Sequence, residues 1–508
     1  MEKSWDCSNN AGLRPVLFLN TQNITFGSIE KILDKLLAKK LIINKEYIFN
    51  KIRESVFSIL DEFFAPIIVK HINSVKLKGN SKKEKYKDFF LDENLQWSQN
   101  VLNMLQEENQ IIKYIVNIVN DKINSFEIFL KNYYNNYQKI QKFFQLKNIT
   151  IKDIKDGLSD NHNNLGSCIC VTFLDNKKLI YKPRNADIDI LFNKYISILD
   201  LKGVYSIKTV KVLDIDNNSS WHSYERQTRT NDTNKLKKFY INFGVMLAVL
   251  DSLNYMDGHS ENFIASCNKL ILLDAETLFT NYSYYAEKNV PYNKLSFTGM
   301  IHDKTSDFIY ENALQSKESK AYFPISLHIL NDFRSDIKIS YRKVAKNTNN
   351  KSIPFKNAIK LSKYIDCIVQ GAMVGYSSIA KNKDKLIELI QNNQNIKFRQ
   401  IKRPTLYYTL LIHRALHPLN KDIHKFLSEK LIVYNNDIIQ HEINCILTNN
   451  IPIFYNRIGN KDLILHDDSV IDKNHFYETP LYWFCKKMNN ITNEDFIKKR
   501  IEEIKNLT

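Results

Sequence analysis

The chain has 508 residues, 44% hydrophobic and 12% aromatic, with 72 Lys and Arg against 55 Asp and Glu. This composition has no tract rich in Gly, Ser or Pro, so it excludes the disordered and fibrous classes and predicts a folded protein of two or three domains. The formal net charge of +17 favours an acidic partner, and a bias toward A/T-rich codons, which also enriches Asn and Ile, is the alternative explanation of the charge.

Three further classes of protein are not expected. Basic and aromatic residues do not alternate as in a nucleic-acid-binding module, so no nucleic acid partner is predicted. No apolar segment reaches the roughly 18 residues of a membrane span, and residues 1–20 lack a signal-peptide core, which predicts a cytoplasmic protein without stable membrane insertion. Seven cysteines without a C-x-x-C pair predict neither a disulfide framework nor a thiolate zinc site.

The predicted elements change character along the chain. Residues 1–150 carry apolar residues at helical spacing, for example in "ESVFSILDEFFAPIIVKHINSV", and are predicted to form a helical region. In 151–290, "SCICVTFLDNKKLIYKPR" predicts a β-hairpin over 167–182, and residues 234–254 predict a helix that leads into an acidic segment. Residues 291–508 are predicted to be mainly helical. The overall prediction is an α+β fold.

The acidic segment "NYMDGHSENFIASCNKLILLDAETLF" suggests phosphoryl transfer. Asp257 and Asn262 have the D-x-x-x-x-N spacing of kinase catalytic loops, in which the Asp accepts the substrate proton and the Asn holds Mg²⁺. Twelve residues on, "KLILLDAE" predicts a buried strand ending in Asp274, a second metal ligand, with Glu276 supporting the metal. Lys182 ends an earlier strand, where a lysine that binds the phosphates of ATP is expected.

Each of these residues also has an ordinary structural explanation. A lone D-x-x-x-x-N pair is common by chance, and Lys182 alone would be a surface lysine. Asp160, His162 and His259 could be turn residues that bond the local backbone, and the turn at 158–167 lacks G-x-G-x-x-G. The order of strand lysine, loop pair and strand aspartate favours a kinase-like site more than any single residue does.

Three blocks together resemble a known family. They are "GLSDNHNNLGSCICVTFLDNKKLIYKPRNADID", "FGVMLAVLDSLNYMDGHSENFIASCNKLILLDAETLF" and "IKFRQIKRPTLYYTLL", in that order. They resemble the dehydratase domain of class II lanthipeptide synthetases, the LanM family, over roughly residues 50–508. The resemblance implies a lipid-kinase-like, two-lobed catalytic core in 151–290, with additional helical regions at the N-terminus and in the C-terminal half.

The resemblance implies two reactions on a precursor peptide with a leader. Ser or Thr is phosphorylated from ATP and Mg²⁺, and phosphate is then eliminated to leave dehydroalanine or dehydrobutyrine. The phosphorylation positions of the family fall on Lys182, Asp257, His259, Asn262 and Asp274, with Glu276 in the adjoining motif and Asp160 and His162 in a turn near the phosphates. The elimination positions fall on Arg399 and Thr405, and Arg403 is a further candidate.

The chain departs from the family in one respect. Full-length members continue into a zinc-dependent cyclase domain, whereas this sequence ends at Thr508. We therefore expect either a dehydratase working with a separate cyclase or none, or an excised domain. Two other functions stay open: a kinase of a peptide or small molecule that does not eliminate phosphate, and a catalytically silent peptide-binding protein.

Overall fold

The computed structural model describes residues 13–161, 165–266, 268–281, 294–301, 313–314, 320–347, 354 and 361–507. Helices and short antiparallel strands follow one another along these residues, and the predicted α+β class is confirmed. Across the same residues, we find no helix with the length and apolar character needed to span a bilayer.

The first part of the chain is helical because apolar residues recur every three or four positions. Local signals set where its helices begin: Asn44 accepts a hydrogen bond from the N–H of Tyr47, and Ser81 and Glu84 form a reciprocal capping box. The helices are α1 (Leu13–Thr21), α2 (Gly27–Ala38), α3 (Lys45–Ile72), α4 (Lys82–Phe90), α5 (Gln99–Glu107) and α6 (Asn109–Phe144).

A five-stranded antiparallel sheet follows, with the strand order β1-β2-β3-β5-β4. Its elements are β1 (Ile151–Lys155), β2 (Ile169–Phe173), β3 (Lys178–Lys182), α7 (Asp187–Ile198), β4 (Val212–Asp216) and β5 (Ser219–Ser223). The predicted hairpin over 167–182 is therefore confirmed as β2 and β3. Tyr181 and Trp221 pack against Phe129 of α6, and because side chains alternate along a strand, Lys182 faces the opposite side of the sheet.

The remaining elements follow the sheet along the chain. The helix predicted over 234–254 is confirmed as α8. In order they are α8 (Thr233–Ser252), β6 (Phe263–Ser266), β7 (Lys269–Leu272), β8 (Lys320–Leu330), β9 (Lys338–Asn347), α9 (Ile365–Lys381), α10 (Lys383–Gln391), β10 (Lys397–Gln400), α11 (Thr405–Ala415), α12 (Ile423–Lys430), α13 (Asn436–Leu447), β11 (Phe454–Arg457), β12 (Leu463–Ile464), β13 (Val470–Asp472), α14 (Pro480–Ile491) and α15 (Glu494–Lys505).

Two large clusters of buried apolar side chains form the interior. The first joins α1 to α6, the five-stranded sheet and α11 to α13, and the second joins α7 to α10, β6, β7, α14 and α15. Strand β3, which carries Lys182, belongs to the first cluster, and strand β7, which precedes Asp274, belongs to the second. The candidate site therefore lies where the two cores meet.

Candidate functional site

Asp257, His259 and Asn262 lie in the loop between α8 and β6. The amide nitrogen of Asn262 donates to the carbonyl oxygen of Asp257 at 2.9 Å and to its Oδ2 at 3.0 Å. His259 Nε2 lies 3.4 Å from Asp257 Oδ1. The loop closes tightly at Gly258, where a Cβ atom would lie 2.3 Å from the carbonyl oxygen of Thr298. Both partners of the Asp257 carboxylate are thus held by the same short turn.

The hairpin of β6 and β7 brings Asp274 to this loop. Phe263 pairs with Leu272, and the N–H of Leu273 donates to the carbonyl oxygen of Asn262 at 2.8 Å. The Tyr255 hydroxyl donates to the Asp257 carbonyl oxygen at 3.0 Å and lies 3.3 Å from that of Asp274. The sequence predicted that the strand would reach Asp274, but it ends at Leu272, so Asp274 lies in the irregular segment that follows.

Lys182 meets Asp274 across the boundary between the two cores. Its Nζ donates to Asp274 Oδ2 and to the carbonyl oxygen of Leu273, both at 2.9 Å, and the lysine is 7% exposed. Burial alone would lower the pKa of Lys182 and raise that of Asp274. The opposite charges outweigh burial, so the pKa of Lys182 rises and that of Asp274 falls far below its usual range. Both groups are therefore charged at neutral pH.

Arg184 is a site residue that the sequence reasoning missed. Its guanidinium bonds Asp274 Oδ1 at 2.9 Å and Asp189 Oδ2 at 2.6 Å, and its Nε lies 3.6 Å from Glu276 Oε2. A signal was available, because Arg184 follows Lys182 by two positions in "YKPR", the spacing that places side chains on one face of an extended segment.

Arg399 joins the cluster from β10. Its Nη1 donates to Glu276 Oε1 at 2.6 Å, and its backbone N–H donates to the Glu276 carbonyl oxygen at 2.7 Å. Burial alone would raise the pKa of Asp257, but His259, Arg399 and Asn262 together lower it, so the carboxylate is ionised at neutral pH. Asp160, which is exposed, is one of the negative charges that raise the pKa of Arg399 against the effect of burial.

The remaining predicted residues differ in placement. Arg403 turns to the fully buried Glu442, with hydrogen bonds of 2.8 and 3.2 Å, and the structure does not bring its guanidinium to Glu276. Thr405 is the first residue of α11. His162 lies outside the described residues. The structure therefore brings together Lys182, Asp257, His259, Asn262, Asp274, Glu276 and Arg399.

Asp274 and Asn262 carry oxygen atoms that could hold a magnesium ion, and in this structure the two carboxylate oxygens of Asp274 are bound by Lys182 and Arg184. Carboxylate and amide oxygens are the hard ligands that Mg²⁺ prefers, and Mg²⁺ normally takes its other ligands from phosphates and water. Because the amide nitrogen of Asn262 faces Asp257, its amide oxygen points away from that carboxylate. The described residues contain no cluster of three or more His, Cys, Asp or Glu that could hold a metal ion.

A family model described as a domain of unknown function, DUF4135, matches residues 111–457, which is more than half of the chain. The chain belongs to the DUF4135 family. The DUF4135 range contains the five-stranded sheet, the loop between α8 and β6, strand β10 and Thr405, so every residue assembled above lies within it.

A relative with a described role was also found. The lacticin 481/lactococcin biosynthesis protein LcnDR2 of Lactococcus lactis subsp. lactis is 26% identical over 421 residues. The aligned region covers 74% of this chain and 45% of that protein. The DUF4135 chain therefore spans less than half the length of the relative that it matches.

Proposed function

We propose that this DUF4135 protein is an ATP-dependent dehydratase of lanthipeptide maturation, which phosphorylates Ser or Thr of a precursor peptide and then eliminates the phosphate. The observation that carries the proposal is the contact of Lys182 with Asp274, 2.9 Å apart, beside the Asp257 and Asn262 loop. Similarity to a lacticin 481/lactococcin biosynthesis protein supports the substrate class. We further propose a lipid-kinase-like, two-lobed core, supported by two hydrophobic clusters that meet at the site.

Phosphorylation would use the residues around Asp274. Asp274 and Asn262 would hold Mg²⁺, which neutralises charge on the ATP phosphates, and Lys182 would bind those phosphates. Asp257 would accept the proton of the peptide hydroxyl, a role suited to a carboxylate kept ionised by its neighbours. His259 would orient Asp257, and Glu276 would support the metal site by holding Arg399. Asp160 and His162 would lie near the phosphates.

Elimination would use the segment from Arg399 to Thr405. In this step the α-proton leaves to a base, the C–H electron pair forms the double bond, and the Cβ–O bond breaks toward the phosphate oxygen. Arg399 would stabilise the charge that collects on the departing phosphate, and Thr405 would donate a hydrogen bond to it. Arg403 is proposed only to position this segment, because its guanidinium is engaged by Glu442.

The proposal also names partners and a location. The substrate would be a precursor peptide with a leader, and the protein would act in the cytoplasm. Neither nucleic acid nor a membrane is part of the proposed function. The competing proposal is a peptide or small-molecule kinase without elimination, and what argues against it is the resemblance of the segment from Arg399 to Thr405 to the elimination block of the LanM family.

Mass spectrometry of peptides encoded near the gene, after incubation with protein, ATP and Mg²⁺, tests the function. The proposal predicts loss of one water per modified residue and production of ADP. Arg399→Gln and Thr405→Ala should leave phosphopeptide, with elimination slowed about 100-fold or more, as for other lost donors to a developing anion. A wild-type product that only gains phosphate would favour the kinase, and no ATP consumption would contradict both.

A further inference from the structure

A shallow, open cleft lies beside the Asp274 cluster. Its walls include Arg184, Asn185, Glu276, Lys397, Arg399 and His466. Among the described lining residues Glu276 is the one carboxylate, and it faces the two arginines. The cleft is therefore a cationic pocket already occupied by an anionic side chain of the protein itself.

Arg184 is fixed in this pocket by contacts with Asp189 and with the backbone. Nη1 and Nη2 bond the two carboxylate oxygens of Asp189 at 2.6 and 3.4 Å, and Nη1 also donates to the carbonyl oxygen of Asn185. Asp189 is 6% exposed, and although burial alone would raise its pKa, the Arg184 charge lowers it. Arg184 would thus keep its place if its contacts with Asp274 or Glu276 were exchanged for others.

Glu276 is held less completely than Arg184. Its Oε1 accepts from Arg399 at 2.6 Å, but its Oε2 lies 3.6 Å from Arg184 Nε, beyond the usual length of a hydrogen bond. A carboxylate offers two oxygens to the two guanidinium groups, whereas a phosphate monoester offers three oxygens and up to two negative charges. Guanidinium forks match phosphate in a bidentate geometry, so a phosphate would bind this pair more completely than Glu276 does.

We propose that this cleft binds the phosphate monoester of the phosphorylated peptide, with Arg184 as its second arm beside Arg399, and that Glu276 is a displaceable internal anion occupying the pocket beforehand. This inference rests on the proposed function and adds to it a second phosphate-binding residue and a competing carboxylate. Because the backbone N–H of Glu276 also donates to Asp274 Oδ1 at 3.0 Å, displacement of Glu276 would be transmitted to the carboxylate proposed to hold Mg²⁺.

Binding of inorganic phosphate, and of a synthetic phosphoserine peptide, to the nucleotide-free full-length protein tests the proposal by calorimetry. Glu276→Gln removes the competing charge at nearly constant shape and should tighten binding of both probes by about tenfold. Arg184→Gln should weaken both by about tenfold or more, the scale of one lost charge-assisted hydrogen bond. Arg184→Lys keeps the charge without the fork, and binding should fall between wild type and Arg184→Gln.

The matched control is Arg334→Gln, which removes one positive charge at a half-exposed ion pair with Asp336 away from the cleft. It should leave both affinities unchanged, which separates local binding from net charge. If Glu276→Gln binds both probes no more tightly than wild type, Glu276 does not compete with phosphate and the proposal is wrong. This result can be obtained even if Arg184→Gln is too unstable to test. These binding measurements do not depend on dehydration. If the variants alter phosphate binding as expected but the protein consumes no ATP, the phosphate-binding cleft is supported and the proposed dehydratase function is rejected.

Discussion

At the scale of single residues, the charges of the site are compensated in groups. Asp274 is shared by Lys182 and Arg184, while Arg184 also engages Asp189. Each of these charged side chains therefore has at least one partner that also pairs with another charged side chain. Removing one partner leaves another buried charge uncompensated, which costs more than the loss of an exposed ion pair. A substitution that removes one of these charges should therefore be compared with a variant that keeps the charge, as Arg184→Lys does for Arg184→Gln.

Lys402 lies in a second polar group, on the connection between Arg399 and Thr405. Its Nζ lies 2.5 Å from His475 Nε2, and His475 Nδ1 lies 2.8 Å from Asp472 Oδ2. The ammonium is also 4.8 Å from the ring centre of Tyr434. Burial lowers the pKa of Lys402 to about 8. The folded protein consequently releases this proton at a pH where the unfolded chain still holds it.

We expect Lys402 to make stability rise with pH between about 8 and its ordinary value of 10.5. In that window the unfolded chain binds more protons than the folded one, so unfolding becomes less favourable as pH increases. The free energy of unfolding should be measured with denaturant for wild type and Lys402→Met at pH 8 and at pH 10.5. Between these two pH values wild type should gain up to about 3 kcal/mol relative to Lys402→Met, at about 1.4 kcal/mol per pKa unit. A pH-independent difference would contradict the assigned shift.

At the scale of elements, helices α8 and α9 cross at very short range through glycines. A Cβ atom on Gly371 would lie 1.8 Å from the carbonyl oxygen of Ile241, and one on Gly244 would lie 2.0 Å from that of Ile368. Since α8 ends immediately before the loop that holds Asp257, the crossing sets the position of that loop. The obstacles are backbone atoms, which cannot turn aside as a flexible side chain can.

Gly371→Ala should destabilise the protein by at least about 2 kcal/mol, because the overlap outweighs the roughly 1 kcal/mol that alanine gains over glycine in a helix. Gly27→Ala is the matched control, because it adds the same methyl group at the start of α2 with nothing within 4 Å. In urea unfolding, Gly27→Ala should leave the free energy of unfolding unchanged or raise it slightly. If Gly371→Ala and Gly27→Ala change the free energy of unfolding equally, the close contact between α8 and α9 is wrong.

The sequence predicted individual elements better than their contacts. The hairpin of β2 and β3 follows from β-branched and aromatic residues around an Asp-Asn turn, and helix α8 follows from apolar periodicity; both are local properties. The pairing of Arg403 with Glu442 joins residues 39 positions apart, so no local pattern could show that Arg403 turns from the cluster. Arg184 was missed for a related reason: its partners Asp274 and Glu276 lie about 90 positions away. The catalytic roles assigned to the assembled residues stay predictions.

At the scale of the whole molecule, the site is built from both hydrophobic cores. The sheet that carries Lys182 packs on α6, whereas the hairpin that leads to Asp274 packs on α8. Strand β10 bridges them, because the backbone N–H of Arg399 bonds the carbonyl oxygen of Glu276. A nucleotide that contacts both Lys182 and Asp274 would therefore touch both cores. Small relative movements of the two cores would change the distance between these residues.

The most direct measurement of the central claim is transfer of isotope-labelled γ-phosphate from ATP to the precursor peptide by the Arg399→Gln variant, in which elimination should be blocked. We predict that label accumulates on the peptide when Mg²⁺ is present, and that adding Asp257→Asn or Lys182→Met abolishes it. Label that persists in the Asp257→Asn double variant, or peptide dehydrated at the wild-type rate by Arg399→Gln alone, would contradict the assignment of this site.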